Sequence, residues 1–107
     1  MSANRRLEHT PDGHFVVIDG RRWRATDPIL PENVASRLRK HLMAARRSVR
    51  SALSSGDEAA VRKARERVQR AKVALGERGT PWWEQSAEER RRRWEDGLSA
   101  LDESESA

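Results

Sequence analysis

The stretch "SALSSGDEAAV", residues 51–61, ends one helix and starts the next almost at once. Gly56 suits the position just past a helix end, where a left-handed backbone excludes most side chains. Asp57 suits the N-cap, where a carboxylate accepts an amide hydrogen of the first turn. Upstream, Val34, Leu38, Leu42, Ala45, Val49 and Ala52 or Leu53 recur at intervals of four and three, a narrow apolar stripe of coiled-coil type. Downstream, Val61, Ala64, Val68, Ala71 and Leu75 repeat at three and four. Two such stripes on either side of a short connection imply an antiparallel αα-hairpin with helices over 31–55 and 58–75. At about 1.5 Å per residue the arms come to ~37 and ~27 Å.

Working towards the N-terminus, "TDPILPEN" breaks the chain before the first helix, with Pro31 placed for its first turn. Before it, "HFVVIDGRRWRA" carries Asp19-Gly20 between two β-prone runs, the signature of a two-residue hairpin turn. That turn pairs Ile18 with Arg21, Val17 with Arg22, Val16 with Trp23 and Phe15 with Arg24. The face with Val16, Ile18 and Trp23 is then expected to pack on the helices, since a lone hairpin is marginal in water. Towards the C-terminus, "GERGTP" reads as a loop, and Ser86 with Glu89 forms a capping box. The helix it opens places Ala87, Trp94, Leu98 and Leu101 on one face. The fold class is therefore α+β: a β-hairpin over about 14–25 packed on a long αα-hairpin, closed by a Trp-rich loop and a third helix over 87–101. Residues 1–12 are expected as a flexible arm with a turn at Pro11-Asp12-Gly13. Residues 13–101 form a single small domain, and 102–107 an acidic tail.

Charge is unevenly spread. The chain holds 22 Lys and Arg against 17 Asp and Glu, yet the stretch from residue 94 onward has five acids and no Lys or Arg. A basic body with an acidic tail favours a polyanionic partner, with the tail as internal competitor. Placement then decides between a binding face and a solvated one. The run Arg90–Arg93 has Glu88, Glu89, Glu95 and Asp96 at helical pairing distances, with Arg90 free to lay its stem along the apolar stripe, so it reads as self-neutralised. Arg62, Glu66 and Arg70 read as a ladder in the second helix. The first helix differs: Arg39, Arg46 and Arg50 share one stripe, Lys40 and Arg47 flank it, and Glu32 in the first turn is the helix's single acid. The hairpin's Arg22 and Arg24 either extend this surface or simply protect a strand edge.

Trp23 and Trp94 are expected in the core of a chain poor in other large apolar residues. Trp82 and Trp83 divide between that role and an exposed anchor for a protein partner. With no cysteine there is no disulfide or thiolate chemistry. No glycine-rich phosphate loop, nucleophile elbow or metal-ligand pattern is present, so neither an enzyme nor a bound cofactor is expected. No apolar run approaches a membrane span or a signal peptide, and a cytoplasmic location without a membrane partner is the expectation.

Taken together, "DGRRWRATDPILPE", "LMAARRSV" and "ALGERGTPWWEQSAEERRRRWEDGL" resemble a family of small bacterial proteins without established function, some of which carry the label "biopolymer transporter Tol". The resemblance spans roughly Gly13 to Leu101. It implies a free-standing protein and offers no catalytic residues.

These observations point to nucleic-acid binding, duplex DNA favoured, through non-specific phosphate contacts of Arg39, Lys40, Arg46, Arg47 and Arg50, with Arg22 and Arg24 adding to them. The alternative is a protein-interaction adaptor or homodimer that uses the Ala-rich helical stripes and a Trp82/Trp83 knob.

Overall fold

In the computed structural model, which describes residues 8–106, Gly56 adopts φ 71° and its amide reaches back to the carbonyls of Ala52 and Leu53. The Asp57 side chain accepts from the Ala60 amide at 3.0 Å. These two caps separate α1 (Glu32–Ser55) from α2 (Glu58–Ala74), and the two helices pack along their length as an antiparallel pair. Of their alanines, Ala35, Ala45, Ala52, Ala64, Ala71 and Ala74 are buried, so the small-residue stripes face inward within one chain. The third helix, α3 (Ala87–Ser106), opens on the expected capping box: the Ser86 amide donates to Glu89 Oε1 at 2.8 Å and the Glu89 amide to Ser86 Oγ at 3.1 Å. Leu98 and Leu101 of α3 close the core against Val34, Leu38, Leu42 and Leu75, with Trp94 packed beside them. Helix α3 runs on to Ser106, through most of the stretch read as an acidic tail. Among the described residues, no helix is long and apolar enough to cross a membrane.

Helix α3 can approach α2 closely because residue 97 has no side chain. A Cβ on Gly97 would stand 2.6 Å from the Ala74 Cβ, whereas carbon atoms prefer about 3.5–4.0 Å. Alanine is the better helix former by ~1 kcal/mol, but forcing apart a packed interface costs about 1–3 kcal/mol. Gly97→Ala is therefore expected to lower the thermal midpoint, measured by circular dichroism; an increase would mean that the helices part without strain.

The sheet is antiparallel, in the order β1 (Glu8–His9), β2 (Phe15–Ile18), β3 (Arg21–Arg24). Asp19 and Gly20 both take positive φ, 51° and 78°, and all four cross-strand pairs of the β2–β3 hairpin are those the turn dictates. The extra strand corrects the expectation of a loose arm over residues 8–12; residues 1–7 lie outside the described ones. The turn after β1 is held by Thr10, whose amide donates to the Phe15 carbonyl, and by Asp12, whose carboxylate accepts from the His14 amide. That brings Glu8 and His9 opposite Val17 and Val16.

The ribbon is rolled differently from expectation. Its anchor is the loop before α3. His14 stacks face to face on Trp83 with centroids 3.9 Å apart, and Phe15 meets the same ring edge-on. Arg24 donates to the Gly79 carbonyl, Thr26 to the Glu77 carboxylate, and the Trp82 indole to the Ala25 carbonyl. Trp23, expected in the core, is 41% exposed, and Val16 and Ile18 are only half-buried.

Beneath this junction lies Asp27, 1% exposed. Arg90 grips its carboxylate with two nitrogens, Nε at 3.0 Å and Nη2, while Arg93 Nη2 donates at 2.6 Å and the Ile29 amide at 3.0 Å. Burial by itself would raise the Asp27 pKa; the bonds from Arg90, Arg93 and Ile29 outweigh it and hold the carboxyl below its usual range. The reading of Arg90–Arg93 as self-neutralised is thereby corrected. Two of the four point inward to a partner more than sixty residues away, and among the described residues none of the expected exposed pairings forms: Arg91 instead meets Glu88 one turn back.

Candidate nucleic-acid interface

Helix α1 presents its cations on two flanks and an outward ridge, because residues seven or four apart fall on nearly the same side. Arg39, Arg46 and Arg50 occupy one flank. Arg39 lies 3.7 Å from Glu32, both strongly exposed, a pair worth little. Arg46 donates to the Met43 sulfur at 3.9 Å, and Arg50 is exposed. Lys40 and Arg47 stand exposed on the ridge and border an open groove of about 830 Å³ that runs to Leu101 and Asp102 of α3. Among the described residues, no acid forms an ion pair with Lys40, Arg46, Arg47 or Arg50.

The flank with Arg46 faces a residue that the sequence did not single out. Lys72, in the last turn of α2, has its pKa lowered by burial; Glu77 opposes the shift, while the charges of Arg78 and Arg46 add to it. Its ammonium sits 5.8 Å from the centre of the Trp23 ring, and the Arg21 guanidinium 4.6 Å from the same ring. One locus therefore combines Lys72, Arg21 and a half-exposed indole, with the charge of Arg46 acting on the lysine. A signal was present: Trp23 and Arg21 alternate with Arg22, so they must share a strand face.

By the same alternation Arg22 and Arg24 lie on the opposite face. Arg22 stacks over Phe15 at 4.3 Å, and Arg24, bonded to Gly79, lies 5.7 Å from Trp83. The structure does not bring these two to the Arg46 flank. Trp82, offered as part of an exposed knob, is 7% exposed and bonded through its indole nitrogen, which corrects that expectation; Trp83 is half-buried against His14. The ladder of Arg62, Glu66 and Arg70 does not form either, for none of these three is ion-paired among the described residues.

Asp102, near the C-terminus, reaches the other flank. Asp102 accepts from His41 at 2.7 Å and pairs with Arg37. The His41 hydrogen bond, with Arg37 assisting against a small burial penalty, keeps its carboxyl below the usual range. The tail thus supplies an internal anion to α1, on the side away from Arg46 and Lys72. No protein-family model matches the chain, and no curated protein or solved structure matches it either, so the resemblance to Tol-labelled proteins stands on its motifs alone.

Proposed function

We propose that this is a cytoplasmic nucleic-acid-binding protein, with duplex DNA favoured, that holds the phosphate backbone through the ridge and flank of α1: Arg39, Lys40, Arg46, Arg47 and Arg50, joined by Lys72 and Arg21. What carries the reading is the absence of any ion-paired acid, among the described residues, for Lys40, Arg46, Arg47 and Arg50, which leaves their charges unopposed along one helix. An anion laid across that flank relieves the repulsion, and phosphate does so without reading bases. Arg22 and Arg24 contribute only if the ribbon itself enters a groove, since they occupy its other face. No cofactor and no catalytic step belong to this reading. The adaptor reading would have to rely on Trp83 and the exposed Met43 and Leu53, because the alanine stripes and Trp82 are used internally.

The test is fluorescence anisotropy of labelled duplex and single-stranded DNA at two salt concentrations. Binding should weaken steeply with salt, and Arg46→Glu with Arg50→Glu should lower duplex affinity by at least tenfold while reducing the log–log slope by about two. Absence of binding by the unaltered protein at low salt would overturn the reading. Trp23→Ala separates the substrates. Loss confined to single strands, of about 1–3 kcal/mol, would mean that the indole stacks on a base and would displace the duplex preference.

A further inference from the structure

On the opposite flank of α1, we propose that the cleft where α1, α2 and the end of α3 meet is a phosphate-binding site centred on Arg67. Arg67 is half-buried, its Nε is fully buried, and that nitrogen has no hydrogen-bond partner among the described residues. No carboxylate of the described residues forms an ion pair with its guanidinium. The contrast within the same chain is instructive. Arg93 also has an unpartnered Nε, yet its Nη2 is held by Asp27; the Arg67 guanidinium is ion-paired by no acid among the described residues. A guanidinium nitrogen taken from water without a hydrogen-bond partner is costly, so such groups are ordinarily satisfied.

The cleft has a volume of about 750 Å³, and its walls match an oxyanion. Lys63 and Arg70 from α2 join Arg67, while Ser48 and Ser51 from α1 and Ser104 from α3 add hydroxyl donors; Glu66 is its one acidic residue among the described ones. Cations from one side and hydroxyls from two others surround a tetrahedral group better than a planar carboxylate, and the guanidinium fork can engage two of its oxygens. The space exceeds a single phosphate, which suits a phosphate within a strand. Arg67 also lines the neighbouring groove with Lys40 and Arg47, so the cleft continues the ridge of cations assigned above to DNA. The ligand is accordingly a backbone phosphodiester. That identification rests on the nucleic-acid reading; the affinity for phosphate itself does not.

Two measurements keep those claims apart. In the first, protein carrying ¹⁵N-arginine is titrated with inorganic phosphate while the Nε–H resonances are followed, with sodium chloride at matched ionic strength as control. The Arg67 resonance, assigned by its loss in Arg67→Lys, should shift saturably with phosphate and not with chloride. No shift, or an equal shift in chloride, would mean a merely hydrated arginine and overturn the site. In the second, Arg67→Gln is compared with the unaltered protein for duplex DNA binding, after circular dichroism shows equal helix content. Affinity should fall about threefold to tenfold and the salt slope by about one. If DNA binds with unchanged affinity and slope, the phosphodiester assignment is wrong. If phosphate shifts Arg67 and the unaltered protein ignores DNA, the site stands and the nucleic-acid reading falls.

Discussion

Asp27→Ala will cost about 3–5 kcal/mol, the usual consequence of removing one partner from a buried ion pair. For small domains, whose total stability is roughly 5–15 kcal/mol, that is a large share. At roughly 4–8 °C per kcal/mol the thermal midpoint should drop by more than about 10 °C. The size follows from what is left behind. Arg93 is itself nearly buried, Arg90 mostly so, and neither forms an ion pair with another acid among the described residues. The Ile29 amide also loses its acceptor. Asp27→Asn keeps an oxygen for that amide while removing the charge, so its loss should be smaller and should measure the ionic part. Adding Arg93→Met to Asp27→Asn should recover some of it, because a charge no longer remains uncompensated.

Proton linkage gives an independent check on the same group. The folded Asp27 pKa lies below the ordinary carboxylate value of about 3.9. Its contribution is therefore complete above the unfolded pKa and disappears as pH falls through the folded value. The stability gap between the unaltered protein and Asp27→Asn should be constant above about pH 5 and should close below about pH 4. Taking the difference removes the parallel effects of Asp12, Glu89 and Asp102, whose carboxyls are lowered as well. A gap unchanged down to about pH 2 would show that the carboxylate is not the stabilising form.

Asp27 also marks the limit of what the sequence discloses. The features that could be read there are local. Gly56 and Asp57 delimit two helices, Ser86 and Glu89 cap a third, and Asp19-Gly20 sets the register of every hairpin pair. Each depends on groups within a few residues. The Asp27–Arg90–Arg93 cluster spans more than sixty residues, and in the helix Glu88, Glu89, Glu95 and Asp96 offered nearer partners at plausible spacing. One clue was available: Arg90, Arg93, Gly97 and Leu101 share a helix face, so cations placed there need a buried acid. The roll of the ribbon was hidden for a similar reason. Both of its faces carry an aromatic residue, and only the Trp83–His14 stack, made after the chain has returned, selects between them. The α1 cations were legible as a group, since helical spacing and the absence of neighbouring acids fix their exposure. Lys72 and Arg67 were not, because each acquires its meaning from residues of other elements.

Gly76→Ala should be the second most damaging single change, at about 2–5 kcal/mol, and for reasons that converge on the same cluster. The residue adopts φ +83°, a conformation that costs an ordinary L-residue about 1–2 kcal/mol. A Cβ there would also lie 2.9 Å from the Asp27 Cβ, 3.1 Å from Trp82 Cδ1 and 3.3 Å from the Asp27 amide nitrogen. None of these atoms can yield cheaply. Asp27 is held by two arginines, its amide donates to the Leu75 carbonyl, and Trp82 is fixed by its bond to Ala25. Overpacking against such a rigid wall adds about 1–3 kcal/mol. The measurement is denaturant unfolding of Gly76→Ala, Asp27→Asn and the double variant. If the added methyl acts by displacing the Asp27 carboxylate from its arginines, the two losses should fall short of additive by roughly 1 kcal/mol or more. Full additivity would assign the cost of Gly76→Ala to its own backbone, and stability equal to the unaltered protein would show that the junction at Asp27 is far softer than its hydrogen bonds imply.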